Sequence, residues 1–306
     1  MIHSPAAAAR SDERPPLLVT QRLTKDYGRC RALDSLDLAV RPGEIFGLLG
    51  PNGSGKSTAL RLLLGFLRPT AGSASIASYD CWHEGVAARR HVGYLPGELR
   101  LYENMTGRQL IDFLSRLRGQ EADGRFAALA RHFDLDPDRP IAELSSGMKR
   151  KVALMQVLLT RAPLLVLDEP TNTLDPTMRD ELLLQLRKAR DAGQAVLFSS
   201  HVLSEVEQVC DRVGILHAGR LAHLQEMSEL REGRIIRVRF NGRPEALPAI
   251  DGVRLGEQSE QAWTLEQVGP PGPLLAWLGR QPLSDLRIEP LGLSAIYRRY
   301  HGGDGT

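Results

Sequence analysis

The stretch GPNGSGKST, residues 50–58, is the feature that most restricts how this chain can fold. It follows an apolar, strand-like run at residues 44–49 and opens a helical pattern that continues beyond Lys56. Glycines accept backbone angles that other residues resist, so successive N–H groups can turn inward around an anion. The spacing G-x4-G-K-S in this context is typical of a phosphate-binding loop at the end of a strand in an α/β core.

Such a loop holds a nucleotide through three kinds of group. Backbone N–H groups surround phosphate oxygens, Lys56 adds a charge at the β- and γ-phosphates, and the Ser57 hydroxyl binds the Mg²⁺ that bridges them. A glycine-rich turn without a ligand is the alternative, and the strand and helix on either side argue against it. The predicted nucleotide-binding residues here are Gly50, Pro51, Asn52, Gly53, Ser54, Gly55, Lys56, Ser57 and Thr58.

Two later apolar runs also end in polar residues. LLVLD (164–168) is followed by Glu169, and AVLFSS (195–200) is followed by His201. Ligands of α/β sheets bind at the carboxyl ends of the strands. We predict that Asp168 supports the metal with Ser57, that Glu169 deprotonates the attacking water, and that His201 holds this water in line. The alternatives are a solvated strand end and a packed or capping histidine.

The segment IAELSSGMKRK, residues 141–151, carries two serines and a glycine ahead of a helical pattern. Ser145 and Ser146 can cap a helix, and Gly147 lets another group approach the backbone. A helix start of this kind attracts phosphate. Taken alone, the segment favours a capped surface helix.

Composition excludes several classes of protein. The 39 basic and 37 acidic residues are interspersed and leave a net charge of +2, so no nucleic-acid partner is expected. The three cysteines lie far apart, which implies neither a disulfide framework nor a zinc site and is typical of a reducing compartment. We expect no signal peptide and no transmembrane segment, since no apolar run approaches about 20 residues.

Changes in texture predict three regions. Residues 1–16 form a flexible tail, residues 17–225 an α/β domain with a mostly parallel sheet and a helical insertion at about 98–162, and residues 226–306 a small α+β appendage with its own modest core.

The chain resembles the ATP-binding subunit of an ATP-binding cassette (ABC) transporter over about residues 17–224. The motifs that match occur in the expected order, at 50–58, 144–148, 164–170, 172–175 and 199–201. The resemblance implies a P-loop NTPase nucleotide-binding domain, with ATP and Mg²⁺ as ligands. It also implies that two copies of the chain sandwich two ATP molecules.

The resemblance gives further residues a function. Tyr27 would stack on adenine, for which ordinary packing is the alternative that the residue alone leaves open. Ser145 and Gly147 would contact the γ-phosphate held by a second copy, and Asp175 would lie between the two copies. Three positions depart from the family pattern. Ser146 replaces a glycine, Met148 replaces a glutamine, and Gly97 stands where many relatives have glutamine.

The region after residue 225 is similar to the extension of exporter ATPases, including drug- and antibiotic-resistance types, whose permease is encoded separately. The resemblance therefore implies a peripheral protein on the cytoplasmic face of the cell membrane. One alternative is a soluble ABC protein that acts on ribosomes or DNA, but such proteins usually carry two cassettes or a long coiled coil. The other is a regulatory module that binds nucleotide without hydrolysis; Glu169 argues against it, while Gly97 and the altered signature favour it.

Overall fold

The computed structural model describes residues 15–119 and 125–301, so residues 1–14 of the predicted tail lie outside the described residues. The strands are β1 (Leu18–Tyr27), β2 (Cys30–Val40), β3 (Ile45–Leu49), β4 (Ala71–Ile76), β5 (Tyr79–Asp80), β6 (Val92–Leu95), β7 (Leu164–Asp168), β8 (Ala195–Ser200), β9 (Arg212–His217), β10 (Arg220–Glu226), β11 (Arg234–Phe240), β12 (Val253–Gln258), β13 (Ala262–Gln267) and β14 (Leu283–Pro290). The helices are α1 (Lys56–Leu63), α2 (Gly85–Arg90), α3 (Gly107–Leu117), α4 (Arg125–His132), α5 (Ser146–Leu158), α6 (Pro176–Asp191), α7 (Leu203–Val209), α8 (Met227–Glu232), α9 (Gly272–Leu278) and α10 (Leu293–His301). None of the helices in this part of the chain has both the length and the apolar character to cross a bilayer.

The central sheet has the strand order β10-β9-β3-β8-β7-β6. Its strands from β9 to β6 run parallel, and only β10 pairs antiparallel with its neighbour. The three apolar runs read as strands from the sequence are β3, β7 and β8, and they lie side by side. The predicted α/β fold with a mostly parallel core sheet is confirmed.

Both faces of the central sheet are covered. Successive side chains of a strand point to opposite faces. In β3, Ile45 and Leu49 pack in a cluster with α5, α6 and α7, whereas Phe46 and Leu48 pack with α1 and the first antiparallel sheet. Every residue of β3 is therefore buried, which explains why the strand is a continuous apolar run rather than an alternating one.

A four-stranded antiparallel sheet, in the order β2-β1-β4-β5, covers the second face. Strands β1 and β2, which precede the run at residues 44–49, were not predicted from the sequence. Half-buried strands with irregular register give a weaker apolar pattern than the parallel strands do. Tyr27 is the last residue of β1, so it lies at a strand end.

The predicted helical insertion contains α3, α4, a 3₁₀ turn at Ile141–Glu143 and α5. Helix α3 begins with a capping box, in which Thr106 Oγ1 accepts from the Gln109 N–H at 3.2 Å and Gln109 Oε1 accepts from the Thr106 N–H at 3.0 Å. Val152 and Met155 of α5 pack in the same cluster as Leu110 and Ile111 of α3. The insertion is thus part of the main core.

The last region combines a sheet, in the order β12-β13-β11-β14, with helix α9, whose Leu274 and Leu278 pack in one apolar cluster with residues of β11 and β13. Its apolar cluster comprises Ile236, Val238, Phe240, Trp263, Leu265, Leu274 and Leu278. The helices on either side of it pack elsewhere, since Met227 of α8 and Leu293 of α10 join the main core. The chain therefore returns to the first domain at its end, and the division at residue 226 stays a prediction.

Candidate functional site

The phosphate-loop segment connects the end of β3 to the start of α1. Gly53 and Gly55 have φ values of +81° and +106°, in the region that favours glycine. A Cβ on Gly50 would lie 2.6 Å from the Leu216 carbonyl oxygen, so this position cannot hold a larger residue without a backbone shift. The glycines that the sequence analysis selected are therefore needed by the shape of this turn.

The start of α1 offers backbone donors to a ligand. The first N–H groups of an α-helix have no acceptor within the helix, and the N-cap Gly55 has no side chain that could accept from them. Ser57 is exposed at this helix start, as are residues 51–53, whereas Ser54 is buried and Thr58 is half-buried. The loop and helix start together form a surface that suits an anion.

Lys56 is the cation of this loop. Its side chain is 5% exposed, and Nζ donates to the carbonyl oxygens of Gly50 at 2.6 Å and Pro51 at 3.1 Å. Burial lowers the pKa of Lys56, while the nearby Glu169 and Asp168 carboxylates act in the opposite direction. The ammonium group is thus held inside the loop by its own backbone, at the place where a phosphate would compete for it.

Asp168 ends β7 and is anchored by the neighbouring strand β8. Its Oδ1 accepts a hydrogen bond from Ser199 Oγ at 2.6 Å. Its Oδ2 lies close to the loop after β6, because a Cβ on Gly97 would be 3.3 Å from it. Asp168 is 9% exposed, so only a small part of its carboxylate can be reached from outside. With the Ser57 hydroxyl it supplies the oxygen chemistry that Mg²⁺ prefers.

The Glu169 carboxylate lies between Lys56 of the phosphate loop and His201, which follows β8. Its Oε1 lies 3.9 Å from Lys56 Nζ and 3.4 Å from His201 Nδ1, and its Oε2 accepts from Asn172 Nδ2 at 2.6 Å. The backbone of Glu169 has φ +45°, which is uncommon for a residue with a side chain. Such a conformation persists only where the surroundings impose it. The structure thus brings Lys56, Glu169 and His201 together, as the three strand ends predict.

Two half-exposed aromatic rings belong to the predicted set. His201 follows β8, and its side chain is 49% exposed. Tyr27 is 47% exposed, with Lys25 Nζ 5.2 Å from the centroid of its ring. An exposed ring at a strand end is free to stack on a planar ligand.

The remaining predicted residues cap two helices. Ser145 is the N-cap of α5, with Oγ accepting from the Met148 N–H at 3.3 Å, and Asp175 is the N-cap of α6, with Oδ1 accepting from the Met178 N–H at 3.0 Å. Within the described chain, the side-chain hydrogen bonds of both go to these helix starts and not to the phosphate loop. A Cβ on Gly147 would lie 3.0 Å from the Thr173 carbonyl oxygen, so the segments at 145–147 and 172–175 are neighbours.

Four residues of the site were missed by sequence reasoning. Ser199 fixes Asp168, Asn172 fixes Glu169, Glu205 binds the Thr171 hydroxyl behind them, and Arg150 donates to several loop carbonyls. Three of the four are buried polar side chains that hold neighbours rather than a ligand. Of these four, Asn172 and Ser199 lie within the motifs at 172–175 and 199–201. Arg150 and Glu205 lie outside every motif, so no local pattern in the sequence indicates that they belong to the site.

Comparison with known proteins identifies the family. A sequence profile described as "ABC transporter" matches residues 33–172. The daunorubicin/doxorubicin resistance ATP-binding protein DrrA of Streptomyces peucetius is 33% identical over 294 residues, which cover 90% of this chain and 89% of the relative. The probable multidrug ABC transporter ATP-binding protein YbhF of Escherichia coli is 37% identical over 67% of this chain, but the match spans only 36% of that relative's length.

Solved structures agree with this assignment. The structure of an ATP-binding subunit of an ABC transporter has a TM-score of 0.67 and 31% identity, and the match covers 70% of this chain and 92% of that one. A dimeric ATP-binding cassette in a post-hydrolysis state, bound to ADP and Pi, has a TM-score of 0.63 and 22% identity and shares the fold. The match there covers 69% of this chain and 98% of the other. This chain therefore belongs to the ATP-binding subunits of the ABC transporter family, which are ATPases.

Proposed function

We propose that this chain binds ATP with Mg²⁺, hydrolyses it as part of a dimer, and thereby drives a separate membrane permease. One observation carries the proposal: the Glu169 carboxylate lies 3.9 Å from Lys56 Nζ and 3.4 Å from His201 Nδ1, beside the phosphate loop. A carboxylate next to a phosphate-binding lysine is well placed to accept a proton from the water that attacks the γ-phosphate.

ATP binding would depend on the loop at residues 50–58. The N–H groups at the start of α1 would donate to phosphate oxygens, and Lys56 would exchange the carbonyls of Gly50 and Pro51 for the β- and γ-phosphates. The exposed ring of Tyr27 would stack on adenine. Tyr27 is exposed, and the hydrogen bonds that Lys56 would give up go to the loop itself, so binding requires no unfolding.

The oxygen donors of Ser57 and Asp168 fit Mg²⁺, and bound Mg²⁺ would neutralise charge on the β- and γ-phosphates. The bond from Ser199 fixes Asp168 Oδ1 and so orients the carboxylate before the metal arrives. Gly97 has no side chain where many relatives carry glutamine, and a Cβ there would stand 3.3 Å from Asp168 Oδ2. At Gly97 the backbone, and not a side chain, therefore borders the proposed metal site.

Glu169 and His201 would have different functions in hydrolysis. Asn172 occupies Oε2 of Glu169, which leaves Oε1 free to accept a proton from water on the side of Lys56 and His201. His201 would donate to the γ-phosphate and hold the water in line. Catalysis of this kind consists chiefly of positioning and charge stabilisation.

A second copy of the chain would complete each site. Ser145 and Gly147 at the start of α5 would contact the γ-phosphate bound by the other copy, and Asp175 would lie between the copies. The free N–H groups of the 13-residue helix α5 suit a phosphate. Ser146 adds a hydroxyl that can donate to the same group, which offsets the loss of a glycine at this position.

The permease would dock on the side of the helical insertion. Tyr102 at 56% and Leu117 at 68% are exposed apolar side chains of the insertion, and Val86 of the preceding helix α2 is 66% exposed. Exposed apolar patches of this kind mark interaction sites. We propose that the chain is peripheral to the membrane through this contact, that residues 226–306 form an accessory domain, and that the direction of transport is export, which the names of the resistance and multidrug relatives support.

The first experiment tests the chemistry. Glu169→Gln keeps the shape of the side chain, and its amide oxygen can still accept from Asn172, but it cannot take a proton from water. We expect turnover to fall by about 100-fold or more while MgATP affinity stays within about twofold of wild type. Lys56→Ala should instead lose nucleotide affinity. Normal turnover in the Gln variant would refute the function proposed for Glu169.

A mixed dimer tests whether the site is shared between copies. Ser145→Arg places a cation where the γ-phosphate of the other copy must dock, and Lys56→Ala disables the phosphate loop; each alone should be inactive. After subunit exchange, one composite site carries both defects and the other carries none. Phosphate release above that of either variant supports a shared site. No recovery, with mixed dimers shown to form, argues against it, provided that the purified dimer of one wild-type and one doubly substituted chain retains activity. If that dimer is silent too, both sites must act together.

A further inference from the structure

The Arg150 guanidinium makes an unusual set of contacts in the second turn of α5. It is 3% exposed and donates only to backbone carbonyl oxygens in the contacts that the structure describes. Nη1 reaches Pro96 O at 3.0 Å and Gly97 O at 3.2 Å, Nη2 reaches Glu169 O at 2.8 Å, and Nε reaches Asn172 O at 3.2 Å. One side chain of α5 therefore binds two loops, the one after β6 and the one after β7.

Two of these contacts hold the backbone on which Glu169 depends. Glu169 has φ +45° and precedes Pro170, and a residue before proline has few allowed conformations. The bond from Arg150 to Glu169 O restrains the peptide that follows this strained residue. The bond to Asn172 O restrains the residue whose amide donates to Glu169 Oε2 at 2.6 Å. Arg150 thus restrains both the backbone of the proposed base and the residue that binds its side chain, and it makes no hydrogen bond to the carboxylate in the contacts described.

The other two contacts hold the loop beside Asp168. Gly97 passes so close that a Cβ on it would lie 3.3 Å from Asp168 Oδ2. Since Gly97 has no side chain with which to hold itself, its carbonyl bond to Arg150 takes on that task. The planar guanidinium suits it, because its fork of five donors can serve several acceptors at once, whereas a lysine ammonium is a compact group on a flexible stem.

We propose that Arg150 is a positioning residue that holds Glu169 and the Gly97 loop of its own chain in the geometry for hydrolysis. The same helix α5 starts at Ser145, which would contact the ATP bound by the other copy. This inference rests on the proposed function. It predicts that loss of Arg150 damages the site containing the phosphate loop of the same chain and spares the site to which Ser145 contributes.

Steady-state kinetics provide the first test. In Arg150→Met we expect kcat to fall by about 10- to 100-fold with KM for ATP within about twofold of wild type, because ATP contacts are kept and positioning is lost. Arg150→Lys should recover part of kcat. Arg212→Met is the matched control: Arg212 is also buried and pairs with Glu44 at 3.0 Å, but it starts β9, at the opposite end of the parallel strands from the phosphate loop. Its kcat should stay within about twofold of wild type even if it melts earlier.

Mixed dimers then separate positioning from a general disturbance of α5. If Arg150→Met merely distorted the helix start, it would act like Ser145→Arg and regain activity when mixed with Lys56→Ala. If Arg150 serves its own Glu169, neither composite site is intact and activity stays at the level of the variants alone. Recovery in this mixture, or a normal kcat in Arg150→Met, would overturn the inference.

The outcomes also separate this inference from the proposed function. If the wild type does not hydrolyse ATP, the proposed function fails and the inference fails with it. If wild type is active but Ser145→Arg and Lys56→Ala do not complement, the shared site fails, and the kinetic test alone decides for Arg150. Should Arg150→Met not fold, Arg150→Lys takes its place, and a kcat equal to wild type in that variant refutes the positioning of Glu169.

Discussion

Replacing Glu205 with alanine should weaken the protein and its catalytic site together. Glu205 lies in the first turn of α7 and is 6% exposed. Its Oε2 accepts from Thr171 Oγ1 at 2.8 Å and from Ser200 Oγ at 3.3 Å, while its Oε1 lies 4.0 Å from Arg179 Nε. The carboxylate thus joins the segment after β7 to the end of β8.

The size of the effect follows from what each partner would lose. Ser200 Oγ still accepts from the Val202 N–H at 2.9 Å, so it keeps a partner. Thr171, 4% exposed, would lose the acceptor of its hydroxyl. An unsatisfied buried hydroxyl costs about 1–3 kcal/mol, and removal of a buried carboxylate whose Oε1 accepts no hydrogen bond from the described residues gives part of this back. We expect Glu205→Ala to lower the free energy of unfolding by about 2 kcal/mol.

Glu205→Ala should also lower the rate of ATP hydrolysis. Thr171 precedes Asn172, which binds Glu169, and Ser200 precedes His201. Without Glu205 the two segments lose their common anchor, and kcat should fall by about 10-fold.

Urea unfolding followed by far-UV circular dichroism, with phosphate release measured in parallel, tests this prediction. Glu205→Gln is the control, because its amide oxygen can still accept from both hydroxyls and should cost less than about 1 kcal/mol. If Ala and Gln variants were equally destabilised, the carboxylate charge and not the hydrogen bonds would be responsible. A loss below about 0.5 kcal/mol in the Ala variant would refute the reasoning.

Three further predictions follow from the geometry. Gly55→Ala should abolish ATP binding measured by calorimetry, since φ is +106° and a Cβ would lie 2.6 Å from the Ala32 carbonyl oxygen. Burial lowers the pKa of Lys56 in the folded protein below its value of 10.5 in the unfolded chain, so the unfolded chain binds more protons at pH values between the two. The melting temperature of the nucleotide-free wild type, measured relative to that of Lys56→Met, should therefore increase as the pH rises toward 10.5. Ile236→Ala should destabilise the last sheet by about 2–4 kcal/mol, read from Trp263 fluorescence, with little effect on ATP affinity.

Much of the fold could be predicted from local pattern. The strands β3, β7 and β8 are apolar throughout because both of their faces are covered, and this makes them visible as short runs. The antiparallel strands β1 and β2 escaped notice, because their exposure is mixed and their register is irregular. The packing of α10 on the first domain was also unforeseen, since nothing in a helix's own pattern says which surface covers its apolar face.

The sequence by itself determined the phosphate loop, the two acidic residues at the end of β7 and the histidine after β8, because these groups act at strand ends and each is marked by its neighbours along the chain. Only the tertiary structure decided which side chains hold them. Arg150 and Glu169 are 19 residues apart, and Thr171 and Glu205 are 34 apart, so neither pair forms a local pattern. Their contacts exist because the core sheet places β7 beside β8 and because α5 packs over both the loop at Gly97 and the end of β7. Buried polar groups must find partners wherever folding brings them, and that choice is made in three dimensions.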